Sequence, residues 1–118
     1  LTRFHQYKAA YILGNQLVDI NFEDSRVLNS IAWTIADTEG LEVRDLELAM
    51  KAAVQANQLT GSEDAAVLDT LARVYYETGD LGGALKWQNR ASKYAAAGGQ
   101  GDSIRQVLQQ YQDEFDKK

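Results

Sequence analysis

Few residues of this chain combine a type and a spacing that could perform catalysis. The single histidine, His5, stands near the start of the sequence. A Ser-His-Asp triad would have to use this residue, and a lone histidine is far more often a surface residue than a catalytic base. The sequence therefore predicts no catalytic residue and no enzyme.

Paired carboxylates, which can bind a metal ion or act as general acid and base, occur at three places. They are Glu23 with Asp24, Glu63 with Asp64, and Asp113 with Glu114. Two of the pairs stand at predicted helix starts, where the helix dipole favours negative charge, so we interpret them as helix caps. The spacing of a calcium-binding EF-hand loop is absent.

The remaining motifs point to no cofactor or metal. Gly79-x-x-Gly82-Gly83 is too short for a phosphate-binding loop, and no strand is predicted before it. The chain has no cysteine, which excludes disulfides and Cys-based zinc sites but leaves a cytoplasmic and an exported or periplasmic location equally open. Because the sequence starts at Leu1 rather than Met, we expect it to be a piece of a longer protein.

Net charge makes nucleic acid an improbable partner. The chain carries −5 at neutral pH with a pI of about 4.8, and its only adjacent basic residues are Lys117 and Lys118. Binding to a phosphate backbone or an anionic membrane surface requires clustered Lys and Arg. No apolar run is long enough to insert into a membrane, so we predict neither nucleic-acid binding nor membrane insertion.

Hydrophobic periodicity and end signals predict an all-α chain with about six helices. The absence of proline suits such a chain. We expect the last helix to open with a capping box at Ser103 and Gln106, after a flexible connector over 95–101. The predicted helices cover about 2–19, 24–38, 43–59, 64–78, 80–97 and 103–116.

Two segments of the chain repeat each other. Ile31, Ala32 and Ile35 recur 40 residues later as Leu71, Ala72 and Tyr75, whereas Ala49 and Ala56 recur 35 residues later as Ala84 and Ala91. The five-residue difference places an insertion in the turn over 39–44. Large and small residues at these spacings are typical of helical-hairpin repeats, which build binding surfaces rather than reaction centres.

The better copy resembles the tetratricopeptide repeat. The matching residues are Leu68, Leu71, Ala72, Tyr75, Gly79, Asp80, Ala84 and Ala91. Gln88 departs from the pattern where a large aromatic residue is expected, and Ala96 replaces its proline. The resemblance implies one domain over 1–118: a short right-handed α-α superhelix with hairpins at 24–59 and 64–97 and terminal helices at 2–19 and 103–116.

A narrower likeness concerns repeats of bacterial proteins. The residues that carry it are 28–33, 44–49, 69–72 and 86–88. In some such proteins the repeats follow a thioredoxin-like redox domain, and the resemblance implies that any chemistry would belong to that neighbour.

In tetratricopeptide arrays the first helices of successive hairpins line a concave groove. By that likeness, stripes on the second and fourth predicted helices would face each other and bind a partner. The candidate partner-binding residues are Arg26, Asn29, Trp33, Asp69, Arg73 and Tyr76. Two simpler interpretations stay open: Trp33 packs against the fourth helix, and Asp69 pairs only with Arg73.

The ligand class of the groove is only partly restricted. Some tetratricopeptide arrays bind a C-terminal carboxylate through Lys and Asn, but the corresponding places here hold Asn29 and Trp33. A C-terminal carboxylate is therefore not supported as the ligand.

Trp87 is expected in the core near Leu108 and Tyr111.

The sequence thus favours a module that binds a protein or peptide. The alternative is a structural spacer or a weak homo-oligomerisation unit attached to a separate enzymatic domain.

Overall fold

A computed structural model describes residues 23–37, 43–96 and 98–117. Within these ranges the chain forms five helices and no strand, which confirms the predicted all-α class. The predicted helix over 2–19 lies outside the described residues, as does most of the predicted insertion over 39–44. The helices are α1 (Ser25–Ala36), α2 (Val43–Leu59), α3 (Ala65–Glu77), α4 (Leu81–Tyr94) and α5 (Gly99–Asp116).

Aspartates begin three of the helices. The carboxylate of Asp24 accepts hydrogen bonds from the backbone N–H groups of Arg26 and Val27, at 3.0 and 3.4 Å. Asp64 caps α3 in the same way, and Asp80 accepts from Gly83 N–H at 2.8 Å. These bonds satisfy N–H groups that the first helical turn leaves free, so the capping interpretation of Asp24 and Asp64 is confirmed.

The start of α5 differs from the prediction. The helix begins at Gly99, four residues before the predicted start, and its N-cap, Gly98, makes no side-chain capping bond. The capping box at Ser103 was therefore wrong, and the predicted connector is in part helical. The physical reason is a close approach: Gly101 is buried against the carbonyl of Ala96, where any Cβ atom would clash with backbone.

Alanines bring the first three helices close together. α1 packs on α2, α2 packs on α3, and α1 also touches α3 directly. Small side chains at these contacts let the backbones approach and leave little void between them. The fully buried alanines of this cluster are Ala32, Ala49, Ala52, Ala53 and Ala56.

The second half of the molecule consists of α3, α4 and α5, in which α4 packs on both α3 and α5. Ala72 and Ala84 are buried between α3 and α4, and Tyr111 of α5 packs on the same cluster. Trp87 packs against the cluster that contains Tyr111 and Leu108, as the sequence predicts, but it is half-buried and not a core residue as expected. α3 therefore lies between the two halves and contributes to both cores.

Contacts near the helix ends show how α1, α3 and α5 are aligned. Asp37, the residue that ends α1, pairs with Arg73 one turn before the end of α3. Along α3 and α5, Asp69 lies near Ile104 and Tyr76 lies on Tyr111, so the two helices run in the same direction. The C-terminal ends of α1, α3 and α5 consequently lie at one edge of the molecule.

Adjacent glycines at the start of α4 provide a test of this packing. A Cβ atom on Gly83 would lie 2.6 Å from Cδ1 of Tyr75, whereas on Gly82 its nearest neighbour would be 3.8 Å away. We expect Gly83→Ala to lower the free energy of unfolding by about 1–3 kcal/mol through overpacking. Gly82→Ala, the matched control, should be neutral or raise it by up to about 1 kcal/mol. Urea unfolding followed by circular dichroism measures both, and equal stability of the two variants would contradict the packing of α3 on α4.

Candidate partner-binding surface

Trp33 and Arg73 meet where α1 contacts α3. The Arg73 guanidinium carbon lies 5.6 Å from the centroid of the Trp33 ring, within the range of a cation–π interaction. The Trp33 side chain nevertheless stays 39% exposed. Trp33 thus contacts α3, as the simpler interpretation predicted, but it does not become part of the core. At this contact the predicted stripes of α1 and α3 touch each other and do not face each other across an open groove.

Two carboxylates hold the Arg73 side chain in place. Its Nε donates to Oε1 of Glu77 at 2.8 Å, and its Nη2 lies 3.5 Å from Oδ1 of Asp37 on α1. Arg73 therefore pairs with Glu77 and Asp37, and the simple pair with Asp69 that the spacing allowed is not formed. We call Trp33, Asp37, Arg73 and Glu77 the Trp33–Arg73 surface.

Asp69 has a structural role in the interior. Gln88 of α4 is completely buried, and its Nε2 donates to Oδ1 of Asp69 at 2.8 Å and to the Ile104 carbonyl of α5 at 3.0 Å. One amide thus joins three helices. Burial raises the pKa of the Asp69 carboxyl, and the hydrogen bond from Gln88 and the charge of Arg73 oppose that rise.

Tyr76 is also used to attach α5. Its ring stacks on Tyr111 with centroids 4.7 Å apart, and its hydroxyl donates to Oε1 of Glu114 at 3.0 Å. The hydrogen bond to Glu114 and burial together raise the pKa of the Tyr76 hydroxyl. Burial also raises the pKa of Tyr111. Both phenols therefore stay protonated at physiological pH. Tyr111 of α5 covers one face of the Tyr76 ring.

The remaining two candidates lie on the first half of α1. The Arg26 side chain is 91% exposed and approaches only the cap residue Asp24, at 3.7 Å, among the described ion pairs. Asn29 is half-buried, and its Oδ1 has no hydrogen-bond partner among the described residues. Of the six predicted residues, the structure thus brings Trp33 and Arg73 together and places Asp69 and Tyr76 against α4 and α5. Arg26 and Asn29 remain on the first half of α1.

The sequence interpretation missed Gln88 and Glu114 as partners of Asp69 and Tyr76. A signal for Gln88 was present, because it stands at the core position where the repeat pattern has an aromatic residue. A polar side chain in such a place needs a hydrogen-bond partner, and Asp69 is the acidic residue opposite. No comparable signal identifies Glu114, since its contact depends on the path of α5.

Other kinds of site find little support in the part of the chain that the structure describes. Among those residues, no three His, Cys, Asp or Glu side chains are grouped so that they could hold a metal ion. None of the described helices is long and apolar enough to cross a membrane.

No protein-family model, curated protein or solved structure matches this chain. The Trp33–Arg73 surface is thus the feature of the described residues that points most clearly to a function.

Replacement of Asp69 tests the interior network through pH. Because the folded-state pKa of Asp69 is raised, its contribution to stability is complete below its ordinary pKa of about 3.8 and is lost as pH rises through the folded-state value. Asp69→Asn keeps an oxygen acceptor for Gln88 but carries no charge. We expect this variant to match or exceed the wild type in stability at pH 7, with the difference shrinking toward pH 4.

Asp69→Ala is the paired variant. It removes an acceptor from the buried Gln88 amide and should lower the free energy of unfolding by about 1 kcal/mol relative to Asp69→Asn at every pH. Its deficit relative to wild type should be larger at pH 4 than at pH 7, because only the wild type titrates at this position. Urea titrations between pH 4 and pH 7 compare the three proteins. An Asp69→Asn protein that is less stable than wild type at pH 7 would contradict the assigned effect of burial.

Proposed function

We propose that this protein is an interaction module of the tetratricopeptide type, which holds a peptide or a segment of another protein against the Trp33–Arg73 surface. The observation that carries the proposal is an exposed tryptophan that is already fixed in place. Arg73 covers part of the ring, and two ion pairs hold Arg73. Such preorganisation lowers the entropy lost on binding, and Trp and Arg are the residues that most often dominate binding energy.

The packing order of the helices supports the repeat part of the proposal. Each hairpin stacks on the next one, and α1 touches α3, the first helix of the following hairpin. α5 continues the series: Ile104-x-x-Val107-Leu108-x-x-Tyr111 has the spacing of Leu68-x-x-Leu71-Ala72-x-x-Tyr75. In this arrangement α5 takes the place of the first helix of a third unit.

Polar residues on the outer side of α5 suit a helix that ends an array. The exposed residues there are Asp102, Ser103, Arg105, Gln106, Gln109, Gln110 and Asp113. Terminal repeats need a polar, solvent-exposed outer face for solubility. In this proposal α5 ends the array of helices, and a partner binds at the Trp33–Arg73 surface and not on the outer side of α5.

A second candidate function is that of a spacer or weak homo-oligomerisation unit attached to a separate enzymatic domain, such as a redox domain. The observation that favours it is Phe115, which is 48% exposed in the last turn of α5. Sedimentation of wild type and Phe115→Ser over a concentration series tests this candidate. It predicts association that Phe115→Ser abolishes, and a strictly monomeric wild type would remove the oligomer version.

Binding itself is tested by selecting a phage-displayed library of random dodecapeptides on the full chain. We expect enriched peptides whose affinity falls at least about 30-fold on Trp33→Ala with Arg73→Ala, since hot-spot truncations typically cost 2 kcal/mol or more. The matched control is Lys51→Ala with Leu59→Ala, which removes an exposed cation and an exposed apolar side chain from α2. Calorimetric titration with synthetic peptides gives the affinities, and circular dichroism checks the fold of each variant.

Two results would contradict the proposal. One is a selection that enriches no peptide for the wild-type chain. The other is a set of enriched peptides that bind wild type, the Trp33–Arg73 double variant and the α2 control with equal affinity.

A further inference from the structure

The charges beside Trp33 restrict what can bind there. The Trp33–Arg73 surface contains two carboxylates, Asp37 and Glu77, for one guanidinium. Both carboxylates remain partly open to solvent, with side-chain exposures of 58% for Asp37 and 32% for Glu77. The surface therefore combines an accessible aromatic ring with a net negative charge.

The helix backbones add to this negative potential. Asp37 and Glu77 stand at the C-terminal ends of α1 and α3, where the free carbonyl groups already carry a partial negative charge. Proteins commonly place Lys or Arg in such last turns, yet the last turns of α1, α3 and α5 contain no basic residue.

Arg73 is poorly suited to bind an anionic partner. Its Nε and one Nη are engaged by Glu77 and Asp37, and its cation lies against the Trp33 ring. An incoming carboxylate would have to displace these contacts while approaching two other carboxylates. The same repulsion disfavours a second copy of this chain, whose net charge is −5.

We infer that the partner of the Trp33–Arg73 surface is a basic peptide segment, whose Lys or Arg side chains pair with Asp37 and Glu77 while a neighbouring side chain packs on Trp33. This inference rests on the proposed function and adds the chemical class of its partner. Attraction between a basic segment and an acidic surface raises the rate of association and selects against acidic competitors. An added cation would also offset the dipole ends of α1 and α3.

The peptides enriched in the selection test this inference directly. We expect them to carry a net positive charge, with Lys or Arg beside an aromatic or large aliphatic residue. Asp37→Asn with Glu77→Gln should weaken their binding about three- to tenfold and flatten its dependence on salt, because exposed ion pairs each contribute a modest amount. The matched control is Glu23→Gln with Glu63→Gln, which removes the same charge near the opposite, N-terminal ends of α1 and α3 and should leave affinity nearly unchanged.

The outcomes separate the inference from the proposed function. Enriched peptides that are neutral or acidic, yet still depend on Trp33 and Arg73, would overturn the basic-partner inference and keep the binding module. Basic peptides that lose affinity equally on the two double variants would also overturn it, because they would respond to total charge alone. A selection without any enriched peptide would contradict the module itself.

Discussion

Alanine side chains at the contacts among α1, α2 and α3 decide how this molecule is built. The two helices of a hairpin bury apolar side chains between them but leave further apolar side chains exposed. A neighbouring hairpin must cover those side chains. Fully buried residues such as Ala32, Ala49 and Ala53 let that neighbour approach closely. Because α1 and α3 are held together in this way, Trp33 and Arg73 come into contact, and the surface we propose for binding exists only as a product of the stacking.

On the other side of α3, a polar interaction holds the helices together. The buried Gln88 amide links α4 to Asp69 of α3 and to the backbone of α5. Burial of Gln88 also costs stability, because its Oε1 has no hydrogen-bond partner among the described residues. In return α5 is fixed over Tyr76 and Asp69. The side of α3 that faces α5 is therefore occupied, whereas Trp33, at the place where α1 meets α3, stays 39% exposed.

Local signals in the sequence predict much of the fold. Periodicity locates α1 to α4, and the aspartate caps mark the starts of α1, α3 and α4, because these signals depend on neighbours within three or four residues. These signals do not locate the start of α5, where Gly98 makes no side-chain capping bond and Gly101 packs against the carbonyl of Ala96. The candidate residues differ in the same way. Trp33 and Arg73 lie on the predicted stripes and touch, whereas Asp69 is bound by Gln88 of α4 and Tyr76 by residues of α5.

The proposal that one face of this molecule receives a partner is tested most directly by nuclear magnetic resonance. A ¹⁵N-labelled chain titrated with the tightest selected peptide reports both tryptophan side chains separately. We predict that the largest shifts occur at the Trp33 indole N–H and at backbone amides in the last turns of α1 and α3, with the Trp87 indole N–H nearly unchanged. Largest shifts on α2 or on the outer face of α5, with an unaffected Trp33, would contradict the account.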